Sequence, residues 1–288
     1  MTSVQQLNEP AHSCQWCPGC GDLSALLSIK QAIAELGLEP NKVVVTSGVG
    51  CSSKLPHYIK TYGFEGLHGR SLPPATGIKF SNHDLKVISV GGDGDGYGIG
   101  VGHFIHSMRR NFDITYIVSN NQLYALTTGQ ASPTTAKGVV TKSTPHGTIE
   151  SALNPLALAL ASNCTFVARG FAGDARHLTD LLKSAITHKG FSFIDCLHTC
   201  ISFNKVNTYQ YFQQRCYKLT AENHDKASFT AAMEKAFEWE EADKIPIGIF
   251  YQKDAPTYED EIYAIKNTPL YQHDVSNVGI QGLLDEFA

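Results

Sequence analysis

The stretch that decides the fold is Lys86-Val87-Ile88-Ser89-Val90-Gly91, which runs directly into Gly92-Asp93-Gly94-Asp95-Gly96. The apolar, β-branched first part is typical of a buried strand, and the glycines of the second part predict a loop. A helix is expected through His103 to Arg110, followed by a second strand from Ile114 to Ser119 that ends at Asn120-Asn121. Because strands alternate with helices, the sequence predicts an α/β fold, a parallel sheet flanked by helices and joined by right-handed crossovers.

The same succession of helix, strand and loop lies upstream of this stretch. Asp22 is the expected N-cap of a first helix, which Gly37 closes. A short strand, Val43 to Thr46, then leads into the loop from Ser47 to Lys54. Since ligands bind beyond the carboxyl ends of parallel strands, we expect the three loops to build one site.

Further elements are expected downstream. The pattern predicts helices over Pro155 to Ala161, Ala175 to His188 and residues 227–242, and strands over Phe191 to Leu197 and Ile245 to Tyr251. The tail from Gln252 to Ala288 mixes Pro, Tyr and acidic residues without clear periodicity. Such a composition is more typical of an arm that lies on a partner than of a core element.

Composition excludes several classes of protein. Of the 288 residues 42% are hydrophobic and 17% charged, which is enough apolar material for a sizeable core. The net charge is −4 and the basic residues are scattered, so neither nucleic acid nor anionic lipid is an expected partner. No signal-like or membrane-spanning stretch is visible, so we expect a cytoplasmic protein. In that reducing compartment the eight cysteines are not expected to form structural disulfides.

The glycine and aspartate loop indicates phosphate and metal binding. A glycine-rich loop between a strand and a helix can bring backbone N–H groups close to phosphate oxygens. Bare carboxylates would repel a pyrophosphate, and a divalent cation removes that conflict. Mg²⁺ prefers hard oxygen ligands such as an aspartate, an asparagine amide oxygen and a backbone carbonyl. The loop matches neither the dinucleotide fingerprint in register nor a Walker loop.

The Cys-x-x-Cys segment Trp16-Cys17-Pro18-Gly19-Cys20-Gly21 has several interpretations. A thioredoxin-like redox pair should follow a strand, whereas Pro10-Ala11-His12-Ser13 shows no strand pattern. A zinc site usually pairs two such elements close together, and only one is present. A metal cluster or plain packing then remains for these thiols.

The order of the motifs resembles a known family. Gly92-Asp93-Gly94 followed by Asn120-Asn121 resembles the thiamine pyrophosphate signature. Together with Trp-Cys-Pro-Gly-Cys-Gly, Gly-Val-Gly-Cys-Ser-Ser-Lys, Leu-His-Gly-Arg and Asn-Asn-x-x-Tyr-x-Leu-Thr-x-Gly-Gln, it is similar to the β subunits of 2-oxoacid:ferredoxin oxidoreductases. The match runs from about Cys14 to Cys200 and weakly through Pro256-Thr257-Tyr258-Glu259.

The resemblance implies specific ligands. The Mg²⁺ ligands would be Asp93, Asn121 and the backbone carbonyl of Leu123, with Gly94 and Asp95 near the pyrophosphate of thiamine pyrophosphate. The thiolates of a [4Fe–4S] cluster would be Cys17, Cys20, Cys51 and Cys200, with Cys196 as an alternative for the last. The other expected residues of the cofactor site are Gly48, Cys51, His68, Gly69 and Tyr124.

The resemblance also implies a reaction and partners. Thiamine pyrophosphate would carry the decarboxylation of a 2-oxo acid, the cluster would pass electrons to ferredoxin, and coenzyme A would accept the acyl group. Lys54, His68 and Arg70 are the candidate catalytic residues. A lysine beside the site favours 2-oxoglutarate, whose distal carboxylate it could pair with, over pyruvate. Rival interpretations are a non-oxidative thiamine enzyme and a zinc-stabilised or electron-transfer protein without catalysis.

The expected organisation has three parts. Residues 1–21 form an N-terminal arm with the Cys-x-x-Cys loop, residues 22–200 a thiamine-pyrophosphate-binding domain, and residues 201–288 a C-terminal extension that contacts a partner subunit. The resemblance implies an α subunit that supplies the second cofactor-binding domain, in an αβ or α₂β₂ assembly.

Overall fold

A computed structural model describes residues 2–276 and 279–288 and contains an eight-stranded sheet with strand order β2-β1-β3-β4-β8-β7-β10-β9. The six strands from β2 to β7 in that order are parallel, β10 is antiparallel to β7, and β9 is parallel to β10. Their bounds are β1 Val43–Ser47, β2 Tyr62–Glu65, β3 Lys86–Gly92, β4 Thr115–Asn120, β7 Phe166–Phe171, β8 Ser192–Leu197, β9 Cys216–Lys218 and β10 Ile245–Gln252. A separate two-stranded hairpin pairs β5 (Leu123–Tyr124) with β6 (Gln130–Ala131).

Helices cover both faces of the sheet. They are α1 Gly21–Glu35, α2 Leu72–Ser81, α3 Val101–Arg110, α4 Pro155–Ala161, α5 Ala175–Thr187, α6 Tyr209–Arg215, α7 Phe229–Ala242, α8 Tyr258–Glu261 and α9 Gln281–Asp285. Short 3₁₀ segments occupy Gln5–Leu7, Pro40–Lys42, Ser52–Tyr58, Leu219–Glu222 and Leu270–Gln272, and a π-helical turn occupies Gly94–Ile99. Within the described ranges, no helix is both long and apolar enough to cross a membrane.

The packing explains why the sequences of the central strands are continuously apolar. Every residue of β1, β4, β7 and β8 is buried, as expected when helices cover both faces of a parallel sheet. On one face α1 and α5 pack together in a single apolar layer. On the other face a second layer contains apolar residues of α2, α3, α4 and α7. The predicted fold class, a mostly parallel sheet flanked by helices, is therefore confirmed.

Some local predictions need correction. Cys20, rather than Asp22, is the N-cap of α1, and Asp22 lies buried in the first turn. The strand β7 was not predicted, although it lies in the middle of the sheet. Residues after 200 supply β9 and β10 of the same sheet, and the division of the chain into three parts stays a prediction. Partner contact by this region stays a prediction.

The tail is attached at its beginning and exposed beyond it. Asn111 Nδ2 donates to the carbonyl of Pro256 at 2.9 Å, and Glu259 Oε1 accepts from the backbone N–H of Asp113 at 3.1 Å. Ile265 and Pro269 are the last buried residues among those the structure describes. Farther along, the large apolar side chains are exposed: Leu270, Tyr271, Val275, Ile280, Leu283, Leu284 and Phe287.

Candidate active site

Four loops meet at one edge of the sheet because β1, β3, β4 and β8 are adjacent and parallel. The segments that follow these strands are residues 48–54, 93–100, 121–122 and 198–200. The expectation that the three sequence-predicted loops share one edge is met, and the loop after β8 joins them. Two cavities open among these loops.

The first cavity, which we name the Asp93 cavity, has a volume of about 200 Å³. Its lining combines the loop after β1, the turn after β3 and the segment after β4. Its lining includes eight of the ten predicted cofactor residues: Cys51, His68, Asp93, Gly94, Asp95, Asn121, Leu123 and Tyr124. Gly48 and Gly69 stand just behind them, in contact with Asp95.

Asp93 is a buried carboxylate held by hydroxyl groups. Its Oδ2 accepts hydrogen bonds from Ser132 Oγ at 2.5 Å and from Thr134 Oγ1 at 2.7 Å. Burial raises the pKa of Asp93 to about 6, and the two hydroxyls oppose that rise. Asn121 is fixed nearby, because its Oδ1 accepts from the N–H of Leu123 at 3.0 Å and its carbonyl accepts from Asn204 Nδ2 at 2.9 Å.

Asp95 holds two neighbouring loops in place. Its Oδ1 accepts from the backbone N–H of Gly69 at 2.7 Å and of Val49 at 3.1 Å, and it lies 3.1 Å from His68 Nδ1. Burial raises the pKa of Asp95, and these contacts oppose the rise. A Cβ at Gly48 would lie 2.2 Å from Asp95 Oδ2, so this contact requires a glycine. The Asp95 carboxylate thus holds two loops of the cavity wall in place.

The π-helical turn Gly94–Ile99 carries the glycines of the loop against an aromatic ring. A Cβ at Gly94 would lie 2.1 Å from Tyr124 Cε1, and the Tyr124 hydroxyl donates to the Gly94 carbonyl at 3.2 Å. π-Helical turns are rare and frequently mark functional sites. Gly94, at the start of this turn, therefore packs directly against the Tyr124 ring at the cavity wall.

The donor set of the Asp93 cavity fits a magnesium pyrophosphate. A buried carboxylate, an asparagine side chain and the backbone of Leu123 offer hard oxygen ligands, which Mg²⁺ prefers. The missing side chain of Gly94 makes room for the Tyr124 ring, whereas Gly92 lines the cavity with backbone that phosphate oxygens can approach. A buried carboxylate whose pKa is raised by desolvation is stabilised as an anion when a cation binds it.

The second cavity, which we name the cysteine cavity, has a volume of about 70 Å³. It is lined by Cys17, Cys20, Cys51 and Cys200, which come from the N-terminal loop, the start of α1, the loop after β1 and the loop after β8. Cys196 is instead fully buried within β8, in the apolar layer under α1 and α5. Of the two alternatives for the fourth thiol, Cys200 is the one that faces the cavity.

The environment of these thiols fits a metal centre. Burial is the main cause that raises the pKa of Cys20 well above the ordinary range and that of Cys51 to about 11, and the Asp22 carboxylate adds to both shifts. Thiolates in such surroundings need a cation, and a coordinating metal supplies it. Four converging cysteines are the usual ligand set of an iron–sulfur cluster. The carboxylate of Asp22 and the ring of His198 also lie close to Cys20.

Two predicted catalytic residues lie away from the Asp93 cavity. Lys54 lines the cysteine cavity, where its ammonium group donates to Gln15 Oε1 and opposes the rise in the pKa of Cys51. Arg70 lies outside the residues that line the two cavities, and its guanidinium donates to the Gly69 carbonyl at 3.2 Å. His68 does line the Asp93 cavity.

Sequence reasoning missed several residues of the site. Ser132 and Thr134, which hold Asp93, belong to a polar run whose only signal was its composition, Ser132-Pro133-Thr134-Thr135. Trp16 Nε1 donates to the carbonyl of Cys51 at 2.6 Å and joins the N-terminal loop to the loop after β1. His198 is buried beside Cys20. These contacts depend on tertiary structure, so no local pattern indicated them.

Two family models match consecutive parts of the chain. Residues 48–196 match the thiamine pyrophosphate enzyme, C-terminal TPP binding domain, and residues 200–267 match the C-terminal region of the pyruvate ferredoxin oxidoreductase β chain. A 2-oxoacid:ferredoxin oxidoreductase subunit beta of Saccharolobus solfataricus is 49% identical over 280 residues, which cover 90% of this chain and 90% of the relative. This chain belongs to the 2-oxoacid:ferredoxin oxidoreductase β subunits.

Other relatives agree with this assignment. The 2-oxoglutarate oxidoreductase subunit KorB of Mycobacterium tuberculosis is 46% identical over 190 residues, 66% of this chain and 51% of the relative. A solved 2-oxoglutarate:ferredoxin oxidoreductase of Magnetococcus marinus, with 2-oxoglutarate, coenzyme A and succinyl-CoA bound, matches with a TM-score of 0.91 and 34% identity, covering 100% of this chain and 96% of that chain. The β subunit is thus part of a thiamine-dependent oxidoreductase, and its name implies a second, α, subunit.

Proposed function

We propose that this β subunit binds thiamine pyrophosphate through Mg²⁺ in the Asp93 cavity and a [4Fe–4S] cluster in the cysteine cavity. With its α subunit it would decarboxylate a 2-oxo acid oxidatively, transfer the acyl group to coenzyme A and reduce ferredoxin. One observation carries the proposal: the two cavities share a wall, since Cys51, Asn121, Ala125 and Leu126 line both. A cofactor in one cavity and a cluster in the other would be immediate neighbours.

The chain's own residues have distinct tasks around the cofactor. Asp93, Asn121 and the carbonyl of Leu123 would hold Mg²⁺, which in turn binds the pyrophosphate. Bound thiamine pyrophosphate supplies the electron sink that decarboxylation of a 2-oxo acid requires. Tyr124 packs on the Gly94 backbone and keeps the phosphate-facing turn in place. The protein thereby positions the cofactor, and the exclusion of water falls to the interface with the α subunit.

His68 is the side chain best placed to move a proton at the cavity mouth. Its Nδ1 lies 3.1 Å from Asp95 Oδ1 and 3.2 Å from the carbonyl of Val49, and both are acceptors. A proton on Nδ1 satisfies them and leaves the lone pair on Nε2. The His68 side chain is 39% exposed and lines the cavity, so Nε2 would be available to accept a hydrogen bond from a bound acid.

We assign 2-oxoglutarate as the preferred acid. Support comes from the KorB relatives and from the Magnetococcus marinus structure, whose described ligands include 2-oxoglutarate. The position of Lys54 on the cysteine cavity supports a role in compensating the negative charge of a cluster, rather than pairing with a distal carboxylate. Selection of the acid would then depend on the α subunit and on the mouth of the Asp93 cavity.

The exposed apolar tail fits the partner contact expected of residues 201–288. Among the described residues after 266, seven large apolar side chains are exposed, and large exposed apolar patches mark protein interfaces. We assign this region to the α subunit in an αβ or α₂β₂ enzyme. Ferredoxin would approach the cysteine cavity, where Cys17 is exposed.

The purified αβ enzyme tests the proposal directly. It should contain iron, sulfide, Mg²⁺ and thiamine pyrophosphate, and it should reduce ferredoxin in a coenzyme-A-dependent reaction with a higher kcat/KM for 2-oxoglutarate than for pyruvate. Stoichiometric zinc without iron or sulfide would overturn the cluster assignment. A higher kcat/KM for pyruvate would overturn the substrate assignment and leave the family intact.

Lys54 provides a second test on the same enzyme. Because the lysine lies on the cysteine cavity, Lys54→Ala should lower kcat/KM for 2-oxoglutarate and pyruvate by the same factor. If it instead paired with the distal carboxylate, the ratio of kcat/KM for 2-oxoglutarate over pyruvate would fall by at least about tenfold, as expected for a charge-assisted contact. Lys42→Ala, at an exposed lysine in a 3₁₀ segment, is the matched control.

A further inference from the structure

A third cavity, which we name the Arg169 cavity, lies behind the segment that follows β4. Its volume is about 220 Å³, and it is enclosed by that segment, the start of α4, the α6 region and the helix α7. Its residues differ from those of the Asp93 and cysteine cavities: Asn120 and Gln122 face it, whereas Asn121 between them faces the other two. The family assignment and the proposed reaction leave this cavity without a role.

Arg169 brings a buried positive charge to the cavity wall. It is 2% exposed, and its Nε donates to Asp195 Oδ2 at 2.9 Å. Its guanidinium carbon lies 5.2 Å from the centre of the Trp239 ring, a distance suited to a cation–π contact. Its Nη1, however, has no hydrogen-bond partner among residues 2–276 and 279–288. A buried guanidinium that keeps unused donors is costly unless a ligand completes it.

Asp195 is too fully engaged to serve as the missing partner. Its Oδ1 accepts from Asn120 Nδ2 at 2.9 Å and from the Tyr97 hydroxyl at 3.0 Å, while its Oδ2 accepts from Arg169 Nε. Three donors therefore fix this carboxylate within the sheet. The donors on Nη1 of Arg169 therefore have no acceptor among the described residues.

The lining defines the chemistry of that acceptor. Among the described residues that form the wall, Arg169 is the one charged side chain, and the other polar groups are amides and hydroxyls. A carboxylate is the acceptor that matches a guanidinium best. Gln122 Oε1 is buried without a partner in the described part of the chain, so it calls for a donor on the same ligand. The Tyr211 hydroxyl accepts from Trp239 Nε1 at 3.2 Å and keeps its own proton to donate.

We infer that the Arg169 cavity binds a small carboxylate that also bears a hydrogen-bond donor, such as a 2-hydroxy acid. The carboxylate pairs with Arg169, and the hydroxyl donates to Gln122 Oε1. The volume suits a molecule of a few carbon atoms rather than a coenzyme. The site is separate from the decarboxylation site, although one three-residue segment, Asn120 to Gln122, forms part of the wall of both.

Calorimetric titration of the αβ enzyme tests the inference with three probes: acetate, glycolate and malate. The blocking variant is Ala136→Trp, because Ala136 is an exposed residue of the cavity rim and its substitution removes none of the polar groups. We expect glycolate and malate to bind the wild type more tightly than acetate, since acetate lacks the hydroxyl. Their affinity should fall by at least about tenfold in Ala136→Trp, the loss expected when a charge-assisted contact is blocked.

Two further variants keep the result interpretable. Ala227→Trp adds the same bulk at another exposed alanine, outside the residues that line the cavity, and should bind the probes as the wild type does. Arg169→Gln should reduce affinity for all three acids together. Undetectable binding of all three probes to the wild type, as for a cavity that holds only water, overturns the inference. Equal affinity in the wild type and Ala136→Trp would place the binding elsewhere and overturn it as well.

Discussion

Cys196 and Cys200 lie four residues apart, and their surroundings differ completely. The first is fully buried in the apolar layer of β8, and the second lines the cysteine cavity after the strand has ended. A cysteine in an apolar layer behaves as a small hydrophobic residue, whereas one at a cavity shared by other thiols can bind metal. The end of β8 at Leu197 thus separates a packing role from a ligand role.

The two cysteines provide a matched pair of variants. Cys200→Ala should lose most of the iron and sulfide of the αβ enzyme and with them ferredoxin reduction, because a cluster deprived of a thiolate is mis-ligated. Cys196→Ala should keep both, at a cost to stability of about 1 kcal/mol or less for the small cavity it leaves. Iron and sulfide analysis measures the difference. Retention of iron in Cys200→Ala together with its loss in Cys196→Ala would reverse the assignment.

Asp93 supports a second prediction at this scale. Asp93→Asn should weaken Mg²⁺ and thiamine pyrophosphate together, because the carboxylate binds the metal and the metal binds the phosphates. Calorimetric titration of thiamine pyrophosphate at several Mg²⁺ concentrations measures both effects. Asp84→Asn, at an exposed aspartate before β3, serves as the control. An unchanged cofactor affinity and Mg²⁺ dependence in Asp93→Asn would remove this residue from the site.

The loops at the edge of the sheet act as one element because Asp95 joins them. One carboxylate oxygen accepts from Gly69 and Val49, and Gly48 leaves the space that the other oxygen occupies. Two hydrogen bonds from backbone N–H groups to a charged acceptor are worth about 1.5–3 kcal/mol each. The shape of the cavity wall therefore depends on a residue that is not itself one of the assigned metal ligands.

Two glycine substitutions test whether Asp95 holds the loops of the cavity wall in place. Gly48→Ala should push Asp95 away, because a Cβ there would lie 2.2 Å from Oδ2, and thiamine pyrophosphate binding should weaken by about tenfold or more. Gly102→Ala, in α3, meets nothing within 4 Å and should raise the free energy of unfolding by up to about 1 kcal/mol. Urea denaturation and cofactor titration of both variants provide the test. Wild-type cofactor affinity in Gly48→Ala would contradict the role of Asp95.

At the scale of the elements, sequence patterns predicted the helices and strands whose positions follow from local periodicity. The bounds of α4 and β10 differ from the prediction by at most one residue, and β3 and β4 lie where the alternating pattern put them. The strand β7 was not predicted because its sequence contains Ala168, Arg169 and Gly170. An arginine usually indicates an exposed position, whereas Arg169 is buried and paired with Asp195 on the neighbouring strand. Cys20 was not predicted as the N-cap of α1 because its side chain makes no capping hydrogen bond.

At the scale of the whole molecule, the β subunit exposes large apolar side chains in several regions, and two of these are the tail and an edge strand. In the tail Tyr271, Leu283 and Phe287 are exposed, and in the edge strand β2 Tyr62 is 62% exposed and Phe64 is 50% exposed. An unprotected edge strand and a run of exposed apolar side chains both invite association with another chain. The resemblance predicted that an α subunit completes the site, but no motif indicated which surface of this chain contacts it.

Truncation tests the tail. A β subunit that ends at His273 keeps the contacts of Pro256 and Glu259, the buried Ile265 and Pro269 and the packing of Leu270–Gln272 on α2, so it should fold with a midpoint of urea denaturation close to that of the full chain. Its affinity for the α subunit should fall by about tenfold or more, since the removed side chains are the exposed apolar ones. Size-exclusion chromatography of the mixed subunits measures this loss. Full-strength association of the truncated chain would assign the α contact to another face.

The cysteine cavity also constrains how the protein can be made. Its lining includes Cys17 and Cys20, which are among the first twenty residues, and Cys200, which leaves the ribosome only after β8. Translation proceeds at about 5–20 residues per second, so about 10–40 seconds pass between the synthesis of Cys20 and that of Cys200. Loading of the proposed cluster would then follow the synthesis of most of the chain, and a cell that makes this protein faster than it supplies iron and sulfide would accumulate the β subunit without its cluster.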